Sequence, residues 1–299
     1  MTAAQGTLAI RRTHASRRLV ELVTRAPVHL ALIAIGAVWL VPSIGLFVTS
    51  FRERDDIHSS GWWTAILDRR LTLDTYVHVI TSRGTTDSLL QNFINSFIIT
   101  IPSTLLPVTI AALAAYAFAW LSFRGRDWLF LLLVGLLVVP IQMTFVPILQ
   151  LFNAVHLTGS FLAIWVAHTA YGLPFAIYLL HSFFAALPRS LIEAARIDGS
   201  SEIRTFWRIV LPISVPGLAS LAIFQFLWVW NDLLVALIYL QSPNLQPMTV
   251  GVVNLLTTYG TEWDLLSAAA FLTMAVPLIV FFSLQRYFVQ GLLAGSVKG

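Results

Sequence analysis

The sequence predicts an all-α, polytopic membrane protein with six transmembrane helices and both termini in the cytoplasm. Three observations predict it. Of 299 residues, 58% are apolar and only 11% are charged, against about 25% charged residues in a soluble domain. Long windows contain no Asp, Glu, Lys or Arg and are apolar on every face, which excludes the alternation of a β-barrel strand. The basic residues also gather on alternate connecting segments, as the positive-inside rule requires.

The windows follow in order. A membrane helix needs about 20 apolar residues. The first window, 26–51, is long enough, and no small-residue cleavage site follows Ser50, so it reads as a span and not a signal peptide. Before it lies a basic arm, 1–25, and after it an outer loop, 52–87. The second window runs from Ser88 to Phe123. The third, Trp128 to Pro188, is too long for one span and divides at the polar stretch Asn153–Ser160. The fifth helix is expected to start at Ile209, pass Asp232 and reach Leu240, where Pro243 and Pro247 end it. The last window is Leu265 to Gln285. Five helices thus form a core over 88–290, with a loop at 187–213 and a tail at 291–299.

With the N-terminus inside, the inner segments hold 13 of the 18 basic residues. The other five, Arg52, Arg54, Arg69, Arg70 and Arg83, lie in the one long outer loop. The formal charge of +4 is therefore a topology signal, and nucleic acid is not a partner. Cysteine is absent, which removes disulfides, thiolate metal sites and a cysteine nucleophile.

The inner loop 187–213 is the unusual segment. Helix connections in bundles usually span about 2–8 residues. This one is longer yet patterned. Ser190 and Glu193 have capping-box spacing. Leu191, Ile192, Ala195 and Ile197 make a short apolar stripe, and Gly199 stands where a left-handed helix terminator belongs. Ser200 or Ser201 then caps a second helix bearing Ile203, Phe206, Trp207 and Ile209. Two readings stand: an element whose small residues Ala194 and Ala195 seat in a groove of a cytoplasmic partner, or amphipathic helices lying in the lipid interface.

Glu193-Ala194-Ala195, then three residues, Gly199, nine residues, Ile209, one residue, and Leu211-Pro212 resembles, at every fixed position, the "EAA" loop of bacterial ABC importer permeases. Asn92–Phe97, Pro140–Pro147, Trp230-Asn231-Asp232 and the tail from Gln285 are similar to the carbohydrate-uptake branch. Within it, they are similar to the smaller, six-helix subunit of maltose and α-glucoside systems. The resemblance implies an ABC type I importer permease fold in the bacterial inner membrane. It implies a heterodimer with a second permease, two copies of a cytoplasmic ATPase, an external solute-binding protein and a sugar substrate. The coupling residues would be Glu193, Ala194, Ala195, Asp198, Gly199, Ile209, Leu211 and Pro212. Gly295, Lys298 and Gly299 of the tail would reach the ATPase. ATP and Mg would sit on that partner. This chain has no Gly-x-x-x-x-Gly-Lys-Ser/Thr loop of its own.

Ionisable groups at membrane depth are costly to bury and so are functional candidates. Asp232 is the one identified, with Asn231 beside it; they line a translocation path or fix a bend against a neighbouring helix. Asn92 and Asn95, one turn apart, and Gln142 and Gln225 are further candidates for the path or for helix–helix hydrogen bonds. Trp39, Trp62, Trp63, Trp120, Trp128, Tyr239 and Trp263 read as interface-belt aromatics, with Trp62 and Trp63 also placed to meet a binding protein. The seven histidines show no metal-ligand spacing, and no nucleophile or acid–base pair marks an enzyme. An ion-coupled secondary transporter is the alternative; it would need more intramembrane carboxylates and a repeat.

Overall fold

The computed structural model describes residues 3–68, 71–81, 89–258 and 263–296, with side chains described for 26–65, 71–80, 89–256 and 263–286. Among these residues the chain is helical, without strands. Helix α1 (Ala3–Thr49) leads into three short helices, α2 (Arg54–Ser59), α3 (Trp62–Asp68) and α4 (Asp74–Thr81). Then come α5 (Leu89–Trp120), α6 (Arg126–Leu136), α7 (Phe145–Ala154) and α8 (Phe161–Ala185). The 187–213 segment forms α9 (Arg189–Ile197), α10 (Glu202–Thr205), a π-helical turn at Phe206–Val210 and α11 (Leu211–Ile213). The rest is α12 (Val215–Trp230), α13 (Leu234–Tyr239), α14 (Met248–Thr258) and α15 (Trp263–Ser296).

Four helical segments are long and apolar enough to cross a membrane alone: Ala26–Thr49, Leu89–Trp120, Phe161–Ala185 and Trp263–Arg286. The other two expected spans are broken. Arg126–Leu136 and Ile141–Ala154 meet at 96°, and Glu202–Ile213 and Val215–Trp230 meet at 76°. The first break falls at Pro140, whose ring and missing N–H stop α6, and the chain re-forms through a 3₁₀ turn at Ile141–Thr144. Pro102, Pro107, Pro174 and Pro277, by contrast, lie inside continuous helices.

The structure corrects two further expectations. The fifth helix does not run through Asp232; it stops at Trp230, and α13 is a separate helix after Asn231–Leu233. The first span starts at Ala26 as expected, within a helix that begins earlier, at Ala3. Ser190 does not cap α9: Pro188 occupies the cap position, without a side-chain cap bond, because proline's fixed φ already suits the start of a helix. Other sequence punctuation appears as read. Gly199 has φ +73°, Ser201 Oγ accepts from Arg204 N–H, and Ser160 Oγ accepts from Ala163 N–H.

The bundle is built around the pairing of α5 with α8, the most extensive in the molecule, with α12 against α5 and α15. Small residues make that seam possible: Ala111, Ala112, Ala115 and Ala176 are buried where the two helices meet. In a medium as apolar as the side chains themselves, close backbone approach supplies the attraction. At the end carrying α9, the same cluster takes in Ile192, Phe206 and Val210. Toward the other end, Ile99, Phe152, Ile164, Val229 and Tyr239 form a second core. Helix α1 touches little besides α3 and α15, and its apolar surface faces outward from Val28 to Phe47.

The loop after α1 is held by a buried cation. Arg52 is 2% exposed; its Nη1 donates to the Ser60 carbonyl at 3.1 Å, and its Nη2 to the Asp56 carbonyl at 2.5 Å and Ser60 Oγ at 2.6 Å. Ser50 Oγ and Tyr76 Oη lie 2.7 Å apart and fasten α4 to the end of α1. Replacing Arg52 with Leu strands the Ser60 carbonyl, at about 1–3 kcal/mol, while the Asp56 carbonyl keeps the Ser60 N–H. Arg52→Leu is therefore expected to raise the rate of limited proteolysis between residues 53 and 65 several-fold, read by mass spectrometry of the fragments, with little change in the bundle's resistance.

Candidate functional site

Two regions carry chemistry. The first is the α9–α10 element at one end of the bundle. Its anchoring face is Ile192, Ala195, Thr205 and Phe206, all buried. Its other face presents Glu193, Ala194, Asp198 and Gly199 to the outside, together with Ile197 at 86% and Ile203 at 74% exposure. Exposed isoleucines beside carboxylates fit either a protein contact or the lipid interface. Of the two alanines expected to seat in a groove, only Ala194 faces out. Ala195 is turned into the bundle, because α9 must bury one stripe to stay folded. Ile209 and Leu211 are half-buried and Pro212 is exposed at the root of the element.

The geometry of that element depends on one turn. The left-handed Gly199 lets Ser200 N–H donate to the Ala195 carbonyl at 2.9 Å, closing α9 and reversing the chain into α10. A side chain there would be strained by about 1–2 kcal/mol. Arg196 then meets Glu202, Nε to Oε1 at 2.9 Å.

The second region is a cleft of about 270 Å³ between α8 and α12. It is lined by Tyr171, Gly172 and Phe175 from α8 and by Phe224, Gln225 and Trp228 from α12. Each helix contributes residues at i, i+1 and i+4, so both triplets lie on one helical face. Four aromatic rings form the walls. Gln225 is held in place by donating from Nε2 to the Ser103 carbonyl at 3.2 Å. Gly172 makes room for that amide: a Cβ there would come within 2.7 Å of it and displace it. A wall of ring faces with an amide between them suits a ligand with alternating C–H and hydroxyl surfaces.

The other polar candidates are distributed differently. Asn95 is fully buried and donates from Nδ2 to the carbonyls of Asn244 at 2.8 Å and Gln246 at 3.0 Å, tying α5 to the loop before α14. Asn92 packs on Gly251, where a Cβ would lie 2.3 Å from its Nδ2. Gln142 is exposed on the 3₁₀ turn. Asn231 is exposed and donates back to the Leu227 carbonyl at 2.7 Å. Asp232 lies outside the aromatic cleft. Its Oδ2 accepts from Ala236 N–H at 3.2 Å, capping α13, and its carbonyl accepts from Thr249 Oγ1 at 2.8 Å. It borders a cavity of about 10 Å³ with Ser96, Thr100 and His168, room for about one water. Gly295 lies in α15; Lys298 and Gly299 fall outside the described residues.

Sequence reasoning missed two things. His168 is 1% exposed, its Nε2 3.8 Å from Asp232 Oδ2, and neither ring nitrogen has a hydrogen-bond partner among the described residues. Asp232 is thus not the sole ionisable group inside the bundle. The aromatic cleft was also overlooked, although Tyr171-Gly172/Phe175 and Phe224-Gln225/Trp228 repeat the same spacing and that repetition was a usable signal. Tyr239 belongs to no interface belt. It is buried, with its hydroxyl 2.8 Å from that of Tyr171. Trp39, Trp63, Trp128 and Trp263 are exposed as expected.

Residues 80–293 match the family described as the binding-protein-dependent transport system inner membrane component. The chain is 49% identical over 292 residues to the osmoprotective compounds uptake permease protein GgtD of Synechocystis sp., covering 96% of this chain and 97% of that one. It is 51% identical over 244 residues to the alpha-glucoside transport system permease protein AglG of Rhizobium meliloti, covering 80% of this chain and 63% of the relative. Among solved structures, a chain of a bacterial ABC transporter involved in alginate import has the same fold. It aligns with a TM-score of 0.69 at 20% identity, over 91% of this chain and 98% of that one.

The role of Asn95 is open to a direct test. Asn95→Leu leaves the part-buried carbonyls of Asn244 and Gln246 without their side-chain donor, a penalty of at most about 1–3 kcal/mol for each. It is expected to lower the thermal unfolding midpoint of the detergent-solubilised protein by several degrees. An unchanged midpoint would remove Asn95 from the list of structural residues and return it to the translocation path.

Proposed function

The chain belongs to the binding-protein-dependent transport system inner membrane components, and on that premise we propose that it is one permease subunit of an ATP-driven importer for an oligosaccharide or α-glucoside. It is a multi-pass inner-membrane transport subunit and not an enzyme. In this proposal a second, related permease completes the pathway. Two copies of a cytoplasmic ATPase hold ATP and Mg, and a solute-binding protein delivers the sugar on the side opposite α9. The sugar class rests on the α-glucoside permease with which this chain shares half its aligned residues.

The observation that carries the reading is the two-faced α9–α10 element. One face is rooted in the α5–α8 core through Ile192 and Phe206. The other offers Glu193, Ala194, Ile197 and Asp198 to a partner. An element built that way transmits displacement: a push on the exposed face moves the buried one, because packed cores shift as units. Closure of the ATPases would rock α5, α8 and α12 together. The cleft between α8 and α12 would then change its opening, and its rings and Gln225 would hold sugar faces and hydroxyls. Ile209, Leu211 and Pro212 hold the exit of the element toward α12. Gly295, Lys298 and Gly299 remain candidates for a second ATPase contact through the tail.

Two variants test the two halves of this reading in the purified complex. Glu193→Arg is expected to lower ATPase co-purification and binding-protein-stimulated ATP hydrolysis by about tenfold or more, equal to at least roughly 1.4 kcal/mol. Trp228→Ala is expected to raise the KM of sugar uptake in proteoliposomes by a similar factor while the ATPase stays bound. Intact ATPase association and stimulation in Glu193→Arg would rule out the docking role.

A further inference from the structure

We propose that Arg196, Glu202 and Tyr116 are positioning residues that fasten the α9–α10 element to the end of α5, so that movement of the element pulls on α5 directly. The inference rests on the coupling reading of this element.

The geometry is a closed set of hydrogen bonds. Arg196 is one residue from the end of α9, and Glu202 is the first residue of α10. The Gly199 turn brings them together. Arg196 Nε donates to Glu202 Oε1 at 2.9 Å. Its Nη2 donates to the carbonyl of Trp120, the last residue of α5, at 3.0 Å. The second carboxylate oxygen of Glu202 accepts from the Tyr116 hydroxyl at 2.6 Å. Tyr116 is buried one turn before the end of α5, and its ring lies 5.3 Å from that of Phe206.

Each bond has a physical reason. The last carbonyls of a helix have no partner within it, and a cation suits that negative end. One guanidinium therefore closes the element on itself and caps α5. Only the planar fork of Arg presents Nε and Nη donors to two acceptors at fixed angles; the point charge of Lys does not. Glu202 likewise uses separate oxygens for Arg196 and Tyr116, so the three side chains hold one geometry. The apolar contacts of Ile192, Phe206 and Val210 resist separation but are non-directional. The polar set fixes the angle between α9 and α5, and α5 carries the largest packing surface in the bundle, against α8.

The test uses the whole complex in proteoliposomes: this chain, its partner permease, the ATPase pair and the binding protein. The variants are Arg196→Lys, which keeps the charge, and Tyr116→Phe, which keeps the ring. Three quantities are read: ATPase bound per permease, stimulated ATP hydrolysis, and sugar imported per ATP hydrolysed. Both variants are expected to retain the ATPase and to hydrolyse ATP, with sugar per ATP reduced about fivefold or more, the lower end of usual couplings between sites. The double variant is expected to lose no more than the worse single variant, since both break one network. An unchanged sugar-per-ATP ratio in the assembled complex overturns the proposal, including when the yield of complex falls, because that is what a merely structural role predicts. Glu193→Arg separates the two levels. If it uncouples while Arg196→Lys and Tyr116→Phe do not, the fastening is wrong and the coupling reading stands. If it leaves docking and sugar per ATP intact, the coupling reading itself has failed.

Discussion

The constraint on which the rest depends is that a backbone N–H or C=O in hydrocarbon has no water to bond, so every break in a helix must be satisfied by the protein itself. This chain breaks its helices repeatedly, and several of its buried polar side chains bond to the broken ends. After α12, the Asp232 carboxylate takes the Ala236 N–H, and Thr249 takes the Asp232 carbonyl. Before α14, Asn95 satisfies two carbonyls, and Ser96 Oγ accepts from Met248 N–H at 2.8 Å. Gly159 N–H reaches across to the Tyr239 carbonyl at 2.9 Å. Of the six polar groups that look like a solute path in the sequence, Asn95 and Asp232 thus serve the repair of broken spans.

The same constraint decides where the working surfaces lie. Where the helices are unbroken and small-faced, α5 and α8 pack too closely to leave space, as at Ala111, Ala115 and Ala176. Between α8 and α12, by contrast, large rings stand between the helices, and the cleft sits there, between Phe175 and Phe224, whose centroids are 6.4 Å apart. Likewise, the excursion at α9–α10 stays folded because a buried stripe supplies what a short helix lacks by itself.

Much of this was legible in the sequence, and what was not has identifiable causes. Charge-free windows located the spans because hydropathy integrates over about 20 residues and ignores local geometry. That same averaging hid the 96° bend at Pro140 and the stop at Trp230, which depend on a proline and on which neighbour satisfies the freed carbonyls. The EAA spacing located the α9–α10 element, and Gly199 announced its turn by needing φ above zero. The capping box did not form, because Pro188 already sets the start of α9 and no sequence rule ranks those two signals. The Asp232–His168 approach joins residues 64 apart, and the Arg196–Trp120 bond joins residues 76 apart. Contacts of that separation belong to packing and not to any local pattern.

The position of Trp228 shows why the cleft and the breaks cannot be treated separately. One side of this ring lines the cleft, and it also meets His168 edge-on, with centroids 5.3 Å apart. His168 in turn stands beside Asp232, the residue that caps α13. A ligand that moves Trp228 therefore acts on the side chain standing next to the break after α12. The Tyr171 hydroxyl makes a second such link, because the ring lines the cleft while the hydroxyl bonds to Tyr239 in the core on the other side. Two of the four rings around the cleft thus have their far edges embedded in the second core. Changing the cleft without changing the packing between α8, α12 and α13 would require those rings to move independently of their partners, which a close-packed interior does not permit. The cleft is for this reason a readout of how α8 and α12 are set against each other.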